Sequence, residues 1–216
     1  MGRGAPEVSF LPEFGIQSDL RHKEYTMKWI WVICAMSILF GGCGYNEVIE
    51  RDEDVKAAWA EVENQYKRRA DLVPNLVKTV QGAADFEKET LQAVIEARSK
   101  VSQMKVDSSV IDNPDSLKAF ESAQSGLGSA LSKLMVVVEK YPNLKATQSF
   151  RDLQAQLEGT ENRIAVARKR FIESVAAYNK VVLLFPSSIG ASWRGKEVRP
   201  TFEGDPADEA VPAVEF

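Results

Sequence analysis

The stretch that decides the fold reads Arg68-Arg69-Ala70-Asp71-Leu72-Val73-Pro74-Asn75-Leu76-Val77. It lies within a longer segment, from Asp52 to Val101, in which apolar or seam positions recur at spacings of four or three residues. Those positions are Val55, Trp59, Val62, Tyr66, Arg69, Val73, Leu76, Val80, Ala84, Glu87, Leu91, Val94, Arg98 and Val101. This spacing is typical of a helix that packs along its whole length against other helices.

Pro74 interrupts this pattern without shifting its register. Proline has no N–H, and its ring clashes with the carbonyl group four residues earlier, here that of Ala70, so the helix is expected to bend or stop. Two interpretations follow. Either one kinked helix runs from Asp52 to about Val106, or two packed helices meet at Pro74 and Asp71 caps the second of them.

Two further amphipathic segments follow this region. The first has Asn113 as its N-cap and Pro114 as its first helical residue, and the second opens near Thr147 and ends at Pro186. Their seams are Leu117, Phe120, Gln124, Leu127, Leu131, Leu134, Val138 and Tyr141, then Phe150, Leu153, Leu157, Thr160, Ile164, Ala167, Phe171, Val175, Tyr178, Val182 and Phe185. Because short loops make neighbouring helices antiparallel, we predict an all-α, up-and-down bundle of three to four long helices over residues 46–186.

An apolar run of about 17 residues, Trp29 to Tyr45, precedes the bundle. Its length lies at the short limit of the ~17 to 25 residues that span a bilayer as a helix. Segment 27–45 begins with a methionine, Met27, and one positive charge, Lys28, and its apolar core is followed by small residues. This is the layout of an export signal. The sequence therefore predicts one N-terminal membrane or signal segment, and Trp29 and Trp31 are expected near its interface with water.

Cys43 is a candidate lipidation site, because Gly41-Gly42-Cys43 resembles the end of a lipoprotein signal. The leucine usually found three residues earlier is replaced by Phe40. The alternatives are an uncleaved anchor and a cysteine that packs as a small apolar residue near a helix end.

The remaining segments are predicted from composition. Residues 1–26 are a disordered extension or a mis-assigned start before Met27. Residues 187–202 lack a period and are expected to pack near the bundle, and residues 203–216 carry five carboxylates and no basic residue, as in a disordered tail. Lys28 precedes the apolar run and mostly acidic residues follow it, which favours a bundle outside the cytoplasm.

Several function classes are disfavoured by composition. A net charge of −4 does not favour nucleic acid as a partner. His22 is the only histidine, and both cysteines, Cys34 and Cys43, lie in the apolar run. The bundle therefore lacks the residues for Ser-His-Asp or Cys-His catalysis and for histidine-bearing metal sites. We predict no enzymatic activity, no cofactor and no metal.

Six polar side chains are singled out as a structural or interaction cluster: Arg68, Arg69, Asp71, Asn75, Glu87 and Arg98. Three of them fall on the apolar seam, where a buried guanidinium is costly unless a carboxylate meets it. One interpretation is a set of ion pairs inside the bundle with a helix cap near the proline, and the other is a corner that docks a partner. The expected partners of Glu87 and Arg98 lie on the last helix, at Glu161, Arg163 and Arg168.

The chain resembles the LemA family of membrane-anchored helical proteins over residues 44 to about 202. The matching stretches include Gly44-Tyr45-Asn46, Val62-Glu63-Asn64-Gln65-Tyr66, the run from Arg68 to Val77 quoted above, and Glu161-Asn162-Arg163-Ile164-Ala165-Val166-Ala167-Arg168. The resemblance implies long bundled helices behind one membrane segment, a place in the bacterial envelope and no established catalytic activity. It also implies genes near those of membrane metalloproteases, and in some members a bundle on the cytoplasmic side.

The sequence therefore predicts a non-catalytic protein of the bacterial cell membrane. Its predicted partners are the membrane, other envelope proteins, among them a membrane metalloprotease, and a second copy of itself. Two alternatives are a carboxylate-dependent enzyme with a cleft near Pro74 and a membrane-shaping protein.

Overall fold

The computed structural model describes residues 16–83, 86–104 and 107–202, with side chains described for residues 27–32 and from residue 46 onward. The helices are α1 (Ile16–Gln81), α2 (Lys88–Gln103), α3 (Pro114–Val138), α4 (Pro142–Lys145), α5 (Gln148–Leu183) and α6 (Ser187–Trp193), with a 3₁₀ turn at Ser108–Asp112 before α3. These ranges contain no β-strand, so the predicted all-α class is confirmed. The acidic tail from residue 203 lies outside the described residues, and so does the side chain of Cys43.

The four main helices alternate in direction. Arg98 of α2 lies beside Ala70 of α1, and Glu87, just before α2, meets Lys140 just after α3, so α2 runs antiparallel to both neighbours. Arg69 of α1 contacts both Gln124 of α3 and Glu161 of α5. The order of these contacts makes α1 and α3 parallel to one another and α5 antiparallel to both, which is an up-and-down arrangement.

The helix does not break at Pro74, so the interpretation in which two helices meet there is wrong. Helix α1 continues through the proline to Gln81, and the chain reverses between residues 82 and 87 instead. The apolar residues on both sides of Pro74 are buried on one face, which favours a continuous helix across it: Val73, Leu76, Val77 and Val80. The predicted single helix to Val106 is therefore two helices with a turn after Gln81.

Arg98 compensates for the hydrogen bond that Pro74 cannot make. In an uninterrupted helix, the N–H of residue 74 would donate to the carbonyl oxygen of Ala70. Here the Nε of Arg98 donates to that oxygen at 3.0 Å. Ala70 is buried, so an unpaired carbonyl there would cost free energy. The return of α2 along α1 thus supplies a donor where the proline removes one.

We expect the substitutions Pro74→Ala and Arg98→Met to be coupled. Arg98→Met should cost about 1 to 2 kcal/mol of unfolding free energy when Pro74 is present, because the carbonyl of Ala70 then loses its donor. With alanine at position 74, an N–H can reach that carbonyl, so the same change should cost at least about 1 kcal/mol less. Urea denaturation of the four chains of this cycle measures the coupling. Purely additive effects would contradict the assignment.

The predicted seams form the core. In α1, α2 and α3 the seam side chains are buried except Arg98, which is half-buried. Of the seam members between the helices, Glu87 is exposed, Tyr141 is half-buried, and Ala84 lies outside the described residues. Trp59 is 2% exposed and packs on Phe120 and Phe171, with ring centroids 5.1 and 5.3 Å away. In α5 the seam is buried from Phe150 to Val182, but Phe185, its last predicted member, is exposed.

The predicted helix starts are confirmed by their caps. The Oδ1 of Asn113 accepts from the backbone N–H groups of Asp115 and Ser116 at 2.9 and 3.1 Å. The Oγ1 of Thr147 accepts from the N–H of Phe150 at 3.3 Å. These bonds satisfy donors that a helix leaves open in its first turn.

Helix α1 begins at Ile16 and enters the bundle without interruption. It therefore runs through segment 27–45, although the side chains from residue 33 to 45 are not described. Trp29 and Trp31 are exposed. A search of the described residues finds no helix both long and apolar enough to cross a membrane.

Candidate functional site

Arg69 is the centre of a buried polar network that joins three helices. Its side chain is 4% exposed. Its Nη2 donates to the backbone oxygen and to the Oε1 of Gln124, at 2.8 and 2.7 Å. Its Nη1 donates to Glu161 at 3.1 Å, and the guanidinium lies 5.0 Å from the ring centre of Tyr66. Arg69 therefore fixes α1, α3 and α5 at one level.

Gly128 lies beside this guanidinium. A Cβ at that position would lie 3.6 Å from the Nη1 of Arg69, which is an ordinary van der Waals contact. The sequence pattern placed Arg69 on the seam and required a carboxylate partner. Gln124 also lies on an apolar seam, and a buried amide needs a hydrogen bond as well. Its position could therefore have predicted it as a second partner of Arg69.

Glu87 and Arg98 do not meet the last helix, so that expectation is wrong. Glu87 accepts from the Nζ of Lys140 at 3.0 Å, and Arg98 donates to the carbonyl of Ala70. The hydrogen bond from Lys140 holds the pKa of the Glu87 carboxyl below its usual value. Both outcomes follow from the turn after Gln81, which folds α2 back onto α1 and α3.

Arg68, Asp71 and Asn75 do not join the Arg69 network. All three are exposed on the outer face of α1. Within the described part of the chain, their side chains take part in no hydrogen bond or ion pair. Asp71 caps no helix, because α1 continues past it. The six predicted residues are therefore spread over four places rather than gathered in one cluster.

A second network lies one to two helical turns away from the Arg69 network. Arg168 of α5 donates to Glu121 of α3 at 2.8 Å and to the hydroxyl of Tyr66 of α1 at 3.3 Å. Its guanidinium also stacks 4.2 Å from the ring centre of Phe202. Burial alone would lower the pKa of Arg168, but these bonds outweigh it and raise the pKa above its usual value. The charge is thus permanent and structural.

A third network, missed by the sequence analysis, ties the C-terminal segment 194–202 to the start of the bundle. Asp52 is 4% exposed and lies 3.0 Å from the Nζ of Lys56, 3.0 Å from that of Lys196, and 2.9 Å from the Nη1 of Arg199. The last contact is an ion pair whose angle lies outside hydrogen-bond geometry. Arg199 also donates from Nε to Asp112 at 2.8 Å.

The backbone of this segment is held as well. Asn179 of α5 makes two bonds with Arg199, donating to its carbonyl at 2.9 Å and accepting from its N–H at 2.8 Å. The hydroxyl of Tyr178 donates to the carbonyl of Glu197 at 3.1 Å. Phe202 then inserts beside Trp59 and Phe171 in the core. Residues 194–202 thus close one end of the bundle, although no period in the sequence marks them.

Asp52 should make stability depend on acid pH. Burial alone would raise its pKa, but the hydrogen bonds from Lys56 and Lys196 and the charge of Arg199 outweigh burial and lower it. A lowered pKa in the folded chain adds stability above the pKa of the unfolded residue, about 3.9, and this stability is lost as the pH falls through the folded pKa.

We therefore expect Asp52→Asn to lower the free energy of unfolding by about 2 kcal/mol at neutral pH, because its charged partners lose their carboxylate. The cost should be clearly smaller at about pH 3, where the stability that this charge supplies is already reduced. Urea denaturation at both pH values measures this. Asp54→Asn is the matched control, since Asp54 is exposed on the same helix and forms an exposed ion pair with Arg51, so it should change stability by less than about 0.5 kcal/mol. An equal cost of Asp52→Asn at both pH values would refute the role given to its charge.

Two open grooves run along the bundle surface. One, of about 820 Å³, lies between α3 and α5 and includes Leu131, Leu157, Glu158 and Glu161. The other, of about 560 Å³, lies between α1 and α5. In the first, Glu161 is paired with Arg69 and Glu158 accepts from Gln154 at 2.9 Å. Among the described residues, no group of three or more His, Cys, Asp or Glu side chains could hold a metal ion.

The profile of the LemA family matches residues 58–216, nearly three quarters of the chain. The chain belongs to the LemA family. The matched region begins one residue before Trp59 and contains the Arg69 and Arg168 networks together with the C-terminal segment that closes the bundle. The resemblance inferred from the run around Pro74 is thereby confirmed.

Three curated proteins are similar to this chain. Magnetosome protein MamQ of Magnetospirillum gryphiswaldense is 29% identical over 158 residues, covering 66% of this chain and 58% of the relative. Magnetosome protein MamQ 2 of Paramagnetospirillum magneticum is 25% identical, covering 76% and 66%. Protein LemA of Metamycoplasma hominis is 26% identical, covering 68% and 60%. The chain thus spans about three fifths to two thirds of their length, and their names state no reaction.

Proposed function

We propose that this LemA family chain is a non-catalytic, membrane-anchored bundle that serves as an interaction scaffold for other proteins of the bacterial envelope. In this proposal segment 27–45 is the anchor, either as an uncleaved helix or as a lipoprotein signal processed at Cys43, and the bundle lies outside the cytoplasm. Its partners are envelope proteins, among them a membrane metalloprotease, or a second copy of the chain.

The observation that carries the proposal is the use of the buried charges. Each strongly buried charged side chain described, Asp52, Arg69 and Arg199, bonds to other helices or to the C-terminal segment of the same chain. Buried charged side chains that bond within the same chain hold its helices in fixed positions, as a rigid scaffold requires.

The enzyme alternative has less support. It requires inward, unpaired carboxylates in a cleft near Pro74, as acid–base work needs two acids about one water apart. The groove at that level contains Glu161, whose carboxylate is paired with Arg69, and Glu158, which is bonded to Gln154. Such pairing supports a structural use of these acids.

Anchoring is tested by fractionation of the full-length chain, with a tag at its C-terminus, in its own host. The proposal expects the chain in the membrane fraction, released by detergent and not by high salt, and digested by protease added to spheroplasts. Mass spectrometry with Cys43→Ser as the matched variant separates the two anchors, because only a lipoprotein loses processing with this change. A chain found in the soluble fraction, or protected from external protease, would overturn the corresponding part of the proposal.

The scaffold role is tested by photocrosslinking in intact cells. A photoreactive residue is placed at Val136 or Val166, exposed apolar positions on α3 and α5, and at Gln156, an exposed polar position on α5, as the control. We expect discrete heavier adducts from the apolar positions, which mass spectrometry then identifies. Recovery of the monomer alone from all three positions would contradict the scaffold role.

A further inference from the structure

One end of the bundle carries a cluster of exposed apolar side chains. Phe185 continues the seam of α5 in the sequence but is 80% exposed, and Trp193 at the end of α6 is 85% exposed. We call the exposed group around the junction of α5 and α6 the terminal apolar patch. It consists of Leu183, Leu184, Phe185, Ile189 and Trp193.

The patch belongs to one rigid corner. The Oγ of Ser187 donates to the carbonyls of Val181 and Leu184 at 2.7 and 2.8 Å, which holds the start of α6 against the end of α5. Ile189 and Trp193 are four residues apart on α6 and so share one face. Large apolar residues elsewhere on the bundle surface, such as Val136 and Val166, stand far from one another on separate helices.

The position of the patch in the fold is the key observation. Val181 and Val182, just before the patch, share a core with Val48 of α1 and with Ala191 of α6. Val48 lies three residues beyond Tyr45, the end of the apolar run, which is about 4.5 Å along the helix axis. The patch therefore lies at the end of the bundle where α1 arrives from its apolar segment.

The chain segment that carries the patch is basic. Between Glu173 and Glu197 the sequence has no acidic residue, but it has Lys180, Arg194 and Lys196. This stretch is cationic in a chain whose net charge is −4. Exposed tryptophan and phenylalanine with flanking lysine and arginine are the composition of surfaces that lie in the headgroup region of anionic membranes.

We propose that the terminal apolar patch docks onto the surface of the same lipid bilayer that holds the N-terminal segment. This inference rests on the proposed anchoring of residues 27–45 and adds a second point of contact, which would fix the tilt of the bundle. Trp193 and Phe185 enter the boundary between headgroups and acyl chains, and the exposed amine of Lys180 on α5 faces anionic lipid headgroups.

The test uses the full-length chain with Trp29→Phe and Trp31→Phe, so that only Trp59, which is buried, and Trp193 emit. The chain is reconstituted into vesicles of phosphatidylcholine and phosphatidylglycerol, with or without bromine atoms near the headgroup end of the acyl chains. Subtracting the emission of a chain that also carries Trp193→Phe isolates Trp193. We expect brominated lipid to remove roughly half of that emission, because interfacial side chains lie ~5 to 10 Å into the boundary.

The matched control moves the tryptophan to the far end of the bundle. In the chain without Trp193, Val136→Trp places an exposed indole on α3, about 40 Å along the bundle from the level of Asp52. Its emission should be the same with and without bromine. Equal quenching at both positions would overturn the inference, since it would mean that the whole bundle lies on the membrane.

Flotation of the vesicles separates the inference from the proposed function. If the chain floats and Trp193 is not quenched by brominated lipid, the patch does not touch the bilayer and the inference is wrong, while anchoring stands. Protection of Trp193 from acrylamide without lipid quenching would instead assign the patch to a protein contact. If the chain does not float, the proposed anchor fails and the inference fails with it.

Discussion

Replacing Arg69 with alanine is expected to destabilise the folded chain by about 3 to 5 kcal/mol. The change removes the guanidinium that donates to the backbone oxygen and to the Oε1 of the buried Gln124, and it leaves the Oε1 without this donor. It also empties the space beside Gly128 and removes the link between α1, α3 and α5. Urea denaturation of the full-length chain in detergent, followed by circular dichroism, measures the loss.

Glu161→Gln is the matched control for this change. Glu161 is half exposed, so removing its charge should cost no more than about 1 kcal/mol. The contrast shows which bonds of Arg69 matter, since Gln124 is buried, whereas the half-exposed Glu161 can be solvated. Costs of similar size for the two substitutions would show that the ion pair, rather than the bond to α3, holds the network together.

Trp59→Ala is expected to cost about 3 to 5 kcal/mol, because it opens a cavity among three aromatic rings. Phe120, Phe171 and Phe202 lie with ring centroids 5.1, 5.3 and 6.2 Å from that of Trp59. Phe202 belongs to the C-terminal segment, so the substitution should also loosen residues 194–202. Hydrogen exchange of the N–H of Arg199, which donates to Asn179, reports that second effect.

Two controls separate packing from other roles of tryptophan. Trp59→Phe should cost clearly less than Trp59→Ala, since the buried Nε1 of Trp59 has no hydrogen-bond partner in the described part of the chain and its loss removes no bond. Trp193→Ala should change stability by less than about 0.5 kcal/mol, because Trp193 is exposed. A large cost for Trp193→Ala would mean that α6 supports the core.

The core of this bundle could be predicted from the sequence because its period is regular. Spacings of three and four residues identified all but one of the buried positions of α3 and of α5, and Asn113 and Thr147 marked the helix starts. In α1 they missed the buried side chains of Val48, Asp52, Ala70, Leu72 and Val77. The turn after Gln81 was not predicted, since spacings of three and four residues continue through it. The pattern marks it only by two consecutive spacings of four, from Leu76 to Val80 to Ala84. Pro74 drew the predicted break to the wrong place, because the donor that replaces its N–H comes from Arg98, 24 residues later.

The candidate site also contains residues that the sequence pattern identified and residues that it did not. Arg69 could be found because a charge on an apolar seam requires a partner. The network of Asp52, Arg199 and Lys196 could not, because it joins residues more than 140 positions apart, and residues 194–202 carry no period. The spacing of Phe185 predicted that its side chain lies in the core. Because α5 ends at Leu183, the helical period does not extend to Phe185, and its side chain is exposed.

The continuity of α1 from Ile16 to Gln81 sets an angular relation between its two halves. Each residue in a helix adds about 100° of rotation and 1.5 Å of rise. A single residue inserted between Tyr45 and Val48 would therefore turn the whole bundle by about 100° around the helix axis relative to the N-terminal apolar run, and Trp193 and Phe185 would turn with it. The number of residues between the apolar run and Val48 thus sets the rotation of the bundle about the axis of α1, and with it the direction in which Trp193 and Phe185 face.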